Sequence, residues 1–105
     1  MAKIRKKVDR RLRAVADALA KYEAQHPNAQ AEIYRQNSAS IRIRVVDPDF
    51  AGSSKADRHD TVWTFLEGLP EAVLAEISML LLLTPDELET SFANYDFEHP
   101  IPSRL

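Results

Sequence analysis

Ile4, Val8, Leu12, Val15, Leu19 and Tyr22 recur at spacings of 4, 4, 3, 4 and 3. Such spacing draws one apolar stripe along an amphipathic helix. It predicts a helix of about five turns from Ile4 to Tyr22, ending before His26-Pro27-Asn28, because proline disfavours helical geometry in the residue before it. Lys3, Lys6, Lys7, Arg10, Arg13 and Asp17 occupy the opposite face. A larger stripe residue contributes roughly 1.5–3 kcal/mol when fully buried, which argues for a helix packed on a sheet. Two short alternating segments follow, 32–36 and 40–47, joined by Asn37-Ser38-Ala39. In the second, Ile41, Ile43 and Val45 point one way while Arg42, Arg44 and Val46 point the other. The short polar connection reads as a β-hairpin. If Ile33 and Arg35 alternate in the same manner, one sheet face is apolar and the other basic, and the first helix covers the apolar face.

A strand that runs into Asp47-Pro48-Asp49 turns at Gly52 and restarts as a helix at Ser53-Ser54, natural N-cap residues with Asp57 in the first turn. Val62, Phe65, Leu66 and Leu69 supply the buried side of this second helix, with Trp63 beside them. Gly68 is a C-terminal stop, and Pro70 can open a short third helix over 71–76. The apolar run Ile77-Ser78-Met79-Leu80-Leu81-Leu82-Leu83 has the length and flanking breakers of a buried strand. Thr84-Pro85-Asp86-Glu87 then carries a Thr cap, a first-position proline and a Glu that closes a capping box, predicting a short helix to about Phe92. The rest, 94–105, holds Tyr95, Phe97, Pro100, Ile101 and Pro102 and is expected to be extended and packed by its aromatics. The order is α-β-β-α-α-β-α, an α+β domain over 1–93 with a three-stranded sheet, helices on one face, and a tail over 94–105.

Charge changes this picture more than composition does. The 105 residues carry a net charge of only -2. Residues 1–44 nevertheless hold 11 Lys/Arg against 4 Asp/Glu, a balance of +7, which leaves 3 against 12, or -9, for the remainder. Such asymmetry can mark a basic docking surface or an acidic segment that shields one. The absence of cysteine excludes disulfides, thiol catalysis and zinc–thiolate or iron–sulfur ligation by the chain's own sulfur. With no apolar core behind the charged N-terminus and no apolar run long enough for a bilayer, a cytoplasmic location without membrane contact is expected.

Arg58-His59 is the one adjacent pair with catalytic vocabulary. His59 as a base would need an orienting carboxylate and a nucleophile in a pocket, and its neighbours Asp57 and Asp60 do not face it on a helix. The plainer expectation is that one side chain of the pair reaches inward and the other stays wet. His26, His59 and His99 are scattered without ligand spacing, so no metal site is predicted. With two glycines in the chain there is no phosphate-cradling motif. Lys6, Lys7, Arg10, Arg35, Arg42 and Arg44 could meet phosphates, and Tyr34 could stack a base, although the acidic second half opposes a polyanion.

The spacing Phe50, Gly52, Arg58, His59, Val62 resembles the F-x-G-x-x-x-x-x-R-H-x-x-V signature of the BolA family. Leu83-Thr84-Pro85-Asp86-Glu87 is similar to the L-T-P-x-E segment that follows the last strand in many members. The resemblance covers about residues 3–90 and implies an α-β-β-α-α-β fold related to the type II KH domain. BolA-like proteins partner monothiol glutaredoxins, sharing a 2Fe–2S cluster, and some bind DNA as regulators. The shared cluster takes a His at the start of the last strand, where this chain has Ile77-Ser78-Met79, or Glu76 in another alignment. Its second ligand, His or Cys, lies in the loop between the first two strands, here Asn37-Ser38-Ala39-Ser40. Oxygen ligands are poor substitutes on such a cluster. The resemblance thus implies a non-enzymatic protein-binding or regulatory module, monomer or homodimer, with no cofactor and with a glutaredoxin-like protein as the family's partner. The alternative is a KH-like nucleic-acid binder using the first helix with Arg42 and Arg44.

Overall fold

Asp9 starts the first helix. In the computed structural model, which describes residues 2–100, its carboxylate accepts a hydrogen bond from the Leu12 N–H at 2.9 Å, and α1 runs Arg10–Gln25. This contact satisfies one of the amides that a helix start leaves without an intrahelical partner. Leu12, Val15, Leu19 and Tyr22 are fully buried, so the apolar stripe holds along this stretch. Its first two members lie outside the helix. Ile4 sits in β1 (Lys3–Ile4), paired parallel with Ile33 of β2 (Gln30–Asn37), and Val8 is 48% exposed. A spacing of four keeps residues on one side of a strand as well as of a helix, and Lys6 breaks the path with a left-handed φ of 63°. The helix expected from Ile4 is therefore a strand, a turn and a shorter helix.

The sheet consequently has four strands instead of three, in the order β1-β2-β3-β4. β2 and β3 (Ser40–Val46) form the antiparallel hairpin predicted around Ser38-Ala39, and β4 (Ile77–Leu83) lies parallel to β3. Ile33, Ile41, Ile43 and Val45 are fully buried in one core with α1 and with Val62 and Leu66 of α2 (Lys55–Leu66). The Ser54 hydroxyl caps α2 by accepting the Asp57 N–H at 3.1 Å, and the single turn α3 (Glu71–Leu74) follows Pro70. The molecule is an α+β fold with a mixed sheet. Among the described residues, no helix is long and apolar enough to cross a membrane.

The other sheet face is not open. After β4 the chain makes a 3-10 turn at Pro85–Glu87 in place of a helix reaching Phe92. It then forms α4 (Phe92–Glu98), capped by the Ser91 hydroxyl. The expected extended tail is thus helical up to Glu98, and the boundary drawn between 93 and 94 falls inside α4. Phe97 is fully buried on this second face, edge-on to Tyr34 at 4.8 Å, and the Tyr34 hydroxyl donates to the Phe97 carbonyl at 2.8 Å. Helices therefore cover both faces of the sheet, correcting the one-sided arrangement. Ile101 and Pro102 of the tail lie outside the described residues.

Between β3 and α2, Asp47 caps a 3-10 turn over Pro48–Phe50, and Gly52 follows at φ 81°. No atom lies within 4 Å of where a Gly52 Cβ would stand, so the conformation and not space demands glycine here. Gly52→Ala is expected to lower stability by about 1 kcal/mol, the cost of left-handed geometry for an L side chain. A denaturant midpoint that does not fall would contradict it.

Candidate functional site

The two segments that carry the family resemblance meet in space through Arg58. Its guanidinium binds both Glu87 oxygens, at 2.6 and 3.1 Å, and donates to the carbonyls of Leu82 at 3.1 Å and Ser53 at 3.2 Å. It also lies over the Phe50 ring, 5.6 Å from the centroid. Arg58 is buried, 7% exposed, so its charge depends on this bidentate partner. Arg58 and the Thr84 N–H hold the Glu87 carboxyl down at about 2. Phe50 and Val62 are buried as well. His59 points the other way, exposed and stacked on Trp63 at 5.4 Å, and among the described residues no carboxylate hydrogen-bonds its ring. One member of the pair reaches inward and the other stays wet.

The six basic residues singled out for contact do not form one surface. Arg42 and Arg44 share the second sheet face with Tyr34 and Glu32, where α4 brings acids to them. Arg42 pairs with Asp96 at 3.1 Å, and Arg44 with Glu32 at 3.0 Å and with Glu98. Arg5 joins Glu98 at 2.9 Å and Glu32, and the Arg44 and Arg5 guanidiniums lie 4.7 and 5.1 Å from the Phe97 centroid. Burial opposes ionisation of Glu98, but Arg44 and Arg5 outweigh it and hold its carboxyl below the ordinary value. Arg35 emerges on the α1 face, bound to Asp9 at 2.7 Å and to Glu76 at 2.7 Å. Lys6 and Lys7 are exposed on the connection into α1, and Arg10 is exposed at the first position of the helix.

The loop between β2 and β3 and the start of β4, the two places from which the family's cluster ligands come, are adjacent. They meet through hydroxyls, Ser40 with Ser78. Glu76, just before β4, is held by Arg35 and Arg11, and Arg35 above all keeps its carboxyl below the ordinary value. Neither position offers an imidazole or thiolate, the donors an iron–sulfur cluster needs.

Two features were not apparent in the sequence. β4 is an edge strand of seven uncharged residues. Its Leu83 carbonyl turns inward to the Asp47 N–H, whereas its Leu82 carbonyl turns outward to Arg58. By strand alternation the Leu80 backbone groups also face outward. A cleft of ≈ 260 Å³ runs along this edge between Lys55 and His59 of α2 and Ser91 and Ala93 near α4. Phe92, 94% exposed, lines the neighbouring hollow with Leu83 and Lys55, whereas Tyr95, 68% exposed, lies with Glu89 and Ser91 away from β4. The second feature is a polar cluster where α1 ends against the turn after β3. The Tyr22 hydroxyl donates to Asp47 Oδ2 at 2.5 Å, and His26 stacks on Tyr22 at 4.1 Å. Asp47-Pro48-Asp49 was visible as a motif, but nothing in the sequence joined it to His26. Comparison with protein-family models, with curated proteins and with solved structures gave no match.

Proposed function

We propose that the chain is a BolA-like, non-enzymatic binding module that acts through protein–protein interaction and carries no iron–sulfur cluster. One observation carries the proposal: the uncharged edge of β4 along an open cleft, with exposed Phe92 near its Leu83 end. Edge strands are ordinarily blunted by charge, proline or bulges. β4 has a register shift at Ser78, opposite the Ile41–Arg42 step, and Arg58 takes the Leu82 carbonyl, which leaves the stretch between them, Met79 to Leu81, without such a device. A partner's extended apolar segment can add to this edge by main-chain hydrogen bonds, with its side chains seated in the cleft and on Phe92. The hydroxyl pair Ser40–Ser78 in place of cluster ligands supports the cluster-free form of this reading. The nucleic-acid alternative is weakened because Arg42 and Arg44 already hold carboxylates.

Cross-linking of the chain to the protein that co-purifies with it from the native host tests this. Cross-links should form at Lys55, beside the β4 cleft, and a Phe92→Ser variant, altered only at an exposed position, should lose the partner. Cross-links confined to Lys6 and Lys7, or a visible cluster absorbance, would overturn it. Retention on a nucleic-acid column that falls with salt and is lost in Arg42→Ala plus Arg44→Ala would favour the alternative.

A further inference from the structure

Asp47 is the one fully buried carboxylate among the described residues. A buried carboxylate needs a compensating charge, yet no described lysine or arginine is paired with it. Tyr22 and the Asp49 N–H, at 2.5 and 2.9 Å, supply its hydrogen bonds, one to each oxygen. The remaining neighbour is His26, whose Nδ1 stands 3.5 Å from Asp47 Oδ2 and 3.4 Å from Asp49 Oδ2. These separations exceed the ~2.7–3.2 Å of a good N–H···O bond. Two donors bound at about 2.0–2.1 Å to one tetrahedral ion stand roughly 3.3–3.4 Å apart.

We propose that His26 Nδ1, Asp47 and Asp49 form a binding site for a divalent first-row transition metal ion of the zinc type. One ligand atom from each residue lies within 4.8 Å of the others. The site is built from the inside outward. Asp47 is fixed by Tyr22 and the turn, and His26 is held by its stack on the same Tyr22 ring, at 12° between planes. Asp49, whose side chain is 64% exposed, is free to swing onto an ion that arrives from solvent. The Tyr22 hydroxyl would orient the buried ligand oxygen as an outer-shell partner. An imidazole among the donors selects against magnesium and calcium, which take oxygen. A bound ion would supply the charge Asp47 lacks and tie the end of α1 to the turn between β3 and α2.

The test is a cobalt(II) titration of the full chain after treatment with chelator and desalting, followed by displacement with zinc(II). One equivalent of cobalt(II) should give a tetrahedral visible spectrum that zinc(II) abolishes, and zinc(II) should raise the melting temperature. His26→Gln, at a position one quarter exposed, and Asp49→Asn, at an exposed one, should each weaken binding by at least about tenfold. His59→Gln and His99→Gln should leave it unchanged, and circular dichroism should confirm that all four variants fold. Absence of a cobalt(II) spectrum, binding that survives both cluster variants, or binding lost in the His59 or His99 control would overturn the assignment.

Discussion

Phe97→Ala should lower the stability of the fold by about 3–5 kcal/mol, the range for removing a fully buried aromatic ring. Phe97 has no exposed surface and is the apolar anchor of a seven-residue helix. A helix that short does not persist on its own propensity. Removing the ring should therefore release α4 as a unit, along with the acids it carries to Arg42 and Arg44. Two measurements should move together: the denaturant midpoint falls, and salt-sensitive retention on a nucleic-acid column is stronger for the variant than for the parent chain. A variant with a lowered midpoint but an unchanged charge surface would show that α4 stays docked through its ion pairs alone.

The second large effect belongs to Arg58 and Glu87. Glu87→Gln should cost about 2 kcal/mol near neutral pH, below the usual penalty for breaking a buried pair, because the Glu87 side chain is 39% exposed and partly screened. The pH dependence has a definite sign. The Glu87 carboxyl is held at about 2 in the folded chain against an ordinary 4.5, so the unfolded chain takes up its proton first as the solution is acidified. The stabilisation is complete above about 4.5 and is lost as pH falls through about 2. Denaturant midpoints of parent and variant should differ near neutrality and converge over that acid window. A gap that persists at the acid end would mean that Glu87 acts through packing and not through its charge.

The parts of the fold that were readable are those whose residues decide the matter locally. β3 alternates Ile41, Arg42, Ile43, Arg44, Val45 without exception, and β4 is bounded by Pro85 and too short for a buried helix. The start of α1 was obscured because Ile4 and Val8 fit two periodicities at once, while Asp9, the actual cap, was one acid in a basic stretch. α4 could not be read because its stabilisation is non-local: Phe97 needs Tyr34, and Asp96 and Glu98 need Arg42, Arg44 and Arg5. The inward turn of one side chain at Arg58-His59 was legible, but its partner, 29 residues away, was not. The same holds for His26, which meets Asp47 and Asp49 only once α1 is laid across the sheet.

Arg5 and Glu98 share an ion pair across 93 positions of sequence, and this imposes an order on synthesis. A chain that emerges N-terminus first presents Arg5, Arg42 and Arg44 well before Asp96 and Glu98 exist. Until the last of these residues leaves the ribosome, that face of the half-made sheet sets three arginines against Glu32, an excess of positive charge beside a particle built largely of RNA. Completion of α4 brings Asp96 and Glu98 to that face last, so its charge is balanced only as the fold closes.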